Sequence, residues 1–72
     1  MTNPAWVEQQ MNRMAPGIRD GKTRKRNVGS ALRQNTDERE LAQATRDRGW
    51  KLAQVGDDFI FTPGDYMIRP IV

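Results

Sequence analysis

Seventy-two residues leave room for one domain, and a chain this short buries only about 60% of the surface its unfolded form exposes, so its stability margin is thin. The formal net charge is +3, with 12 Lys and Arg against 9 Asp and Glu, and there is neither cysteine nor histidine. Disulfides, thiolate zinc sites and imidazole acid–base chemistry are thereby excluded, which closes most enzyme mechanisms and predicts no cofactor.

Thr2, Asn3 and Pro4 read as a helix start: Asn3 accepts from the first free amides, and Pro4 suits the first helical position, where no donor is needed. Val7, Met11 and Met14 then fall on an i, i+4, i+7 stripe with Trp6 at its edge, while Glu8, Gln9, Asn12 and Arg13 face away. Pro16 and Gly17 are expected to stop this helix. The stripe either covers one side of a core or serves a partner's groove, and Trp6 decides between them.

Residues 18–35 carry few apolar anchors, namely Ile18, Val28, Ala31 and Leu32, interrupted by Gly21 and Gly29. That composition predicts a mobile, partly disordered linker with at most a helical turn near Ser30 to Gln34. Within it lies the run Lys22, Thr23, Arg24, Lys25, Arg26, without a neighbouring carboxylate. Charge is divided unevenly along the chain: residues 1–35 hold seven Lys and Arg against two acids, residues 36–72 five against seven. A basic arm over 1–35 ahead of a compact unit over 36–72 points to a binding protein whose partner is nucleic acid or a machine that handles it. Arg outnumbers Lys nine to three, which fits either guanidinium recognition of phosphate and carboxylate or the codon bias of a GC-rich genome.

Asn35 or Thr36 is expected to cap the next helix, with Asn35 and Glu38 in capping-box spacing. Acids Asp37, Glu38 and Glu40 crowd its start and Arg46 and Arg48 its end, as the helix dipole favours, and Gly49 supplies a left-handed cap. Beyond it the apolar period changes to two. Trp50 and Leu52 share one strand face, Gly56 and Asp57 form a two-residue turn, and Asp58 to Thr62 return with Phe59 and Phe61 on one side. A Pro63–Gly64 turn leads to an expected third strand over Tyr66, Met67, Ile68 and Arg69, ended by Pro70. The fold class predicted is α+β: a helix on a three-stranded antiparallel sheet centred on Leu41, Trp50, Leu52, Phe59, Phe61 and Ile68, preceded by the arm and its short helix. The longest compact apolar stretch, Phe59 to Phe61, falls far short of a membrane span or a signal segment, so a soluble cytoplasmic protein is expected.

Asp57, Asp58 and Asp65 are the clustered carboxylates near turns, and they read as ordinary turn chemistry without a third metal ligand. The lone Ser30 has no histidine to activate it. Residues 38–71 nonetheless resemble the HicA-type toxins in layout, through Arg48, Gly49, Trp50, Lys51, Leu52, then Gly56, Asp57, Asp58, Phe59, Ile60, Phe61 and Pro63, Gly64. That resemblance implies a double-stranded-RNA-binding-like core and messenger-RNA cleavage. Where the family has Gly-Ser-His with a catalytic His, however, this chain has Gly56, Asp57, Asp58, so no nuclease is expected. From Asn3, Pro4, Ala5, Trp6 through Arg24, Lys25, Arg26 to Pro63, Gly64 the whole chain is similar to the small RNA-polymerase-binding regulators of lytic Xanthomonas phages. That similarity implies a monomeric partner of bacterial RNA polymerase in the host cytoplasm, inhibiting promoter recognition or promoting antitermination. Trp6 and Val7 are the expected apolar anchor, and Arg19, Lys22, Arg24, Lys25, Arg26 and Arg33 the expected contacts to acidic polymerase surface or nascent RNA. The alternative is a plain RNA-binding module that stacks bases on its sheet aromatics; neutralising five phosphates on a single strand would then give a salt slope of about −3.5.

Overall fold

The computed structural model describes residues 3–66 and 71. Six elements follow in chain order: helix α1 (Pro4–Arg19), strand β1 (Arg24–Asn27), helix α2 (Val28–Arg33), helix α3 (Glu38–Asp47), and strands β2 (Lys51–Val55) and β3 (Asp58–Thr62). The sheet is antiparallel in the order β1-β3-β2, so the last strand is the central one. The architecture is helices on a three-stranded antiparallel sheet, as the sequence predicts, but one of the strands is a different one. Of the segment expected as the third strand, Tyr66 lies outside any strand and residues 67–70 are outside the described residues. The place is filled by the basic run itself, Arg24 to Asn27.

That substitution overturns the mobile linker. Residues 18–35 complete α1, form β1 and wind into α2, the last being longer than the single turn anticipated. Helix α1 also runs through Pro16 instead of stopping there. Proline removes one donor from the helix ladder, but Gly17 and Ile18 beyond it are buried, and their packing holds the extra turn in place. The start is as expected: Asn3 Oδ1 accepts from Trp6 N at 3.2 Å, with Pro4 at the first helical position. Asn3 does more than cap, since its Nδ2 donates to Gln34 O at 2.8 Å and its backbone N to Glu40 Oε1 at 3.3 Å, tying the helix start to the α2–α3 junction.

All three helices end in the same way. The residue two past the last helical position is left-handed (Gly21 φ 79°, Asn35 φ 57°, Gly49 φ 74°), and the amide after it donates to a carbonyl five residues back: Lys22 to Gly17, Thr36 to Ala31, Trp50 to Thr45. This is the Schellman arrangement. It commits Asn35 to closing α2, so Asp37 rather than Asn35 or Thr36 caps α3, accepting from Glu40 N at 2.9 Å.

The core draws on both halves of the chain. Val7, Met11, Met14 and Ile18 from α1 and Ala31 from α2 are buried together with Leu41, Phe59 and Phe61. The stripe on α1 therefore covers the core, and residues 3–35 are part of the folded body rather than an arm beside it. Trp50 and Leu52 pack against this cluster only half-buried, and Ile68 is outside the described residues. The β2–β3 turn is Gly56–Asp57, with positive φ (59°) at Gly56 alone, the sign pattern of a type II′ turn.

Two glycines make contrasting predictions. A Cβ on Gly56 meets open space, so Gly56→Ala suffers backbone strain alone, about 1–2 kcal/mol. A Cβ on Gly64 would drive into the Gly49 carbonyl, which is backbone and cannot swing aside. Gly64→Ala is expected to cost about 1–3 kcal/mol by overpacking, and to disturb the Gly49 turn, whereas Gly56→Ala leaves it alone. Urea midpoints with amide chemical shifts at residues 48–50 separate the two routes.

Candidate anionic-partner interface

Alternation along β1 sends Arg24 and Arg26 to the face on which Phe61 and Phe59 stand directly opposite, and Lys25 to the other face. Because α1 reaches β1 through the short turn of residues 20–23, the strand doubles back along the helix. The contacts follow that order. The Arg24 guanidinium lies against Gly17, in the space a Cβ there would fill, and Arg26 Nε donates to Gln10 Oε1 at 2.7 Å. Gln10 and Gly17 share one flank of α1, and Arg13 stands between them on that flank, with Trp6 continuing it toward the helix start. Three guanidinium groups, those of Arg13, Arg24 and Arg26, are thus placed along one side of α1.

Arg26 is the fixed member. Besides its bond to Gln10, its Nη1 donates to Lys25 O at 2.8 Å, which leaves three of the five N–H donors of a guanidinium open. Its pKa lies below the ordinary arginine value, first because it is partly buried and then because Arg13 and Arg24 add like charge; it is still a cation at neutral pH. No acid lies within ion-pair distance of Arg13, Arg24 or Arg26 among the described residues. Among the described residues the one ion pair is Arg48 with Glu8, at 2.8 Å, which links α1 to α3. Among the same residues no group of three acids gathers as metal ligands.

The remaining residues named from sequence are scattered. Val7 is buried in the core and offers no surface to a partner, because it begins the stripe that faces Phe59 and Phe61. Trp6 is half-buried, packed against the core with an accessible remainder. Lys22 is exposed in the α1–β1 turn and Lys25 on the opposite sheet face. Arg19 lines a separate cleft with Ala15, Ile18, Arg48, Trp50 and Gly64, and Arg33 is exposed on α2, bonded to Ser30 Oγ at 3.2 Å. Phe59 and Phe61, 4% and 0% exposed, are closed to base stacking, whereas Trp50 is half-buried and Tyr66 exposed. Sequence reading missed Arg13, which it placed on a solvent face, and Gln10; the signal was the small Gly17 on the same flank, where a neighbouring backbone or side chain can approach closely.

Gly17 offers a variant that separates stability from binding. Alanine there gains helix propensity, about 0.5–1 kcal/mol, but its Cβ evicts the mobile end of Arg24. Gly17→Ala should melt at the wild-type temperature or above while binding its partner less tightly, which parallel thermal melts and pull-downs can check. No family model, curated protein or solved structure matches this chain, so its function is read from the α1–β1 face itself.

Proposed function

We propose that the chain is a phage-type transcription regulator that binds host bacterial RNA polymerase, inhibiting promoter-dependent initiation, promoting antitermination, or both. The observation that carries this reading is the folded cationic face of Arg13, Arg24 and Arg26 with no acid paired to it. Arg26 is held by Gln10 and Lys25 O before any partner arrives and β1 is already folded, so docking does not bear the cost of ordering a loose arm. The half-buried Trp6 on the same flank supplies the apolar end of the contact, and Lys22 extends the charge at the turn. The similarity to small polymerase-binding regulators supplies the partner. On this reading a protein of this size works by occupying a site or holding one conformation of the larger machine.

The alternative, a plain RNA-binding module, would have to stack bases on aromatics other than the buried Phe59 and Phe61, because single-strand binding leans on aromatic stacking. Added to a purified transcription system, the protein should reduce promoter-dependent initiation or raise terminator read-through, and it should co-purify with polymerase from host lysate. A protein that does none of these is not a polymerase regulator.

A further inference from the structure

We infer that Arg13, Arg24 and Arg26 form a binding site for a phosphate-class oxyanion, and that on the polymerase complex this site takes the backbone of the nascent RNA rather than carboxylates of the protein. The inference rests on the reading of the α1–β1 face as the docking face, and names what that face touches.

The argument begins with the cost of the arrangement. Three cations along one helix flank repel one another; the stems of Arg24 and Arg26 cover the sheet's inner face, but that cover does not call for charged heads, and the strand register is set by pairing with β3. Yet Arg26 is clamped in place by Gln10 and by Lys25 O, and Arg24 is accommodated by the missing side chain of Gly17. Gln10 is itself buried, 6% exposed, so the acceptor that orients Arg26 is not free to move away. The fold therefore holds positive charge where it repels itself, and leaves open donors on it. Such a site is relieved by an anion.

Its chemistry favours phosphate. A carboxylate has two oxygens in one plane with about four lone-pair sites, of which one guanidinium fork takes two, so three such forks exceed what one carboxylate can use. A phosphodiester or phosphate offers oxygens in several directions, and nucleic-acid backbones present such groups in series along a cationic track. Reading by backbone contact also needs no exposed aromatic, which agrees with the burial of Phe59 and Phe61.

The test uses the intact protein without polymerase. The Arg26 Nε–H, held by Gln10, is followed by 1H–15N spectra while sodium phosphate is added at constant pH and ionic strength, with acetate as comparator. Separate titrations use a short uridine-rich RNA and a glutamate-rich peptide. A saturable shift with phosphate and with RNA, at least tenfold weaker in Arg13→Gln and smaller with acetate and the peptide, is the expected result. Arg13 is exposed, so that variant should fold, and unchanged amide shifts in the core confirm it. No saturable phosphate shift, a shift that survives Arg13→Gln, or a peptide that matches RNA overturns the inference. A protein that takes phosphate and RNA in this way but does not co-purify with polymerase keeps the oxyanion site and loses the polymerase as its partner.

Discussion

Phe61→Ala should leave the protein largely unfolded at 25 °C. Phe61 is 0% exposed, sits on the central strand, and stands between Arg24 of β1 and Leu52 of β2 in the register. Truncating a buried Phe costs about 3–5 kcal/mol, which is as much as a core of this size supplies in total. The expected signature is loss of near-UV circular dichroism and of amide protection throughout the sheet. Trp50→Ala should be milder, because Trp50 is half-buried and packs on the rim of the same cluster. A folded Phe61→Ala protein, or a Trp50→Ala protein more damaged than it, would contradict this placement of the core.

The second large effect concerns binding. Replacing Arg24 and Arg26 together by Glu should weaken association with a transcribing polymerase complex that carries nascent RNA about 100-fold or more, since losing charged partners at a docking site costs about 2–5 kcal/mol and the new acids repel the same ligand. The fold should survive, because β1 pairs with β3 through its backbone and a carboxylate at position 26 trades the repulsion from Arg13 for an attraction. The paired Gln variant, without the sign reversal, should bind with intermediate strength. Lys25→Glu, on the opposite sheet face, should bind nearly as the wild type does. Surface plasmon resonance at two salt concentrations tests all four: the wild type should lose affinity steeply with salt and the Glu pair hardly at all. A Lys25→Glu protein as impaired as the Glu pair would move the interface to the other side of the sheet.

Much of the helical and hairpin structure is legible in the residues because local signals agree there. Asn3 before Pro4, the Val7–Met11–Met14 stripe, Gly49 after the last turn of α3, and Gly56–Asp57 between two alternating runs each have one ready conformation. The edge strand is not legible, because Arg24 to Asn27 contain no apolar residue to alternate. Their pairing is imposed by β3, and the long stems of Arg24 and Arg26 take the place of an apolar face while their charged heads stay at the surface. Once β1 is read as a linker, Arg13 has nothing to stand beside, and the site disappears with the strand. The overrun of α1 past Pro16 was hidden for a similar reason: local chemistry argues for a stop, and tertiary burial of Ile18 argues against it.

The order β1-β3-β2 also governs when the molecule comes into being. The β2–β3 hairpin joins neighbours in sequence and can close within microseconds, but β1 must be recruited across some thirty intervening residues, and its partner is the last of the three described strands to be made. A nascent chain that has emerged as far as residue 57 has no sheet at all, and its buried methionines and Ile18 have no Phe59 or Phe61 to meet. During that interval α1 is an amphipathic helix without a floor. The sheet therefore waits for residues 58–62 to be made, and exposure to proteases is then set by how fast Arg24 to Asn27 find the hairpin.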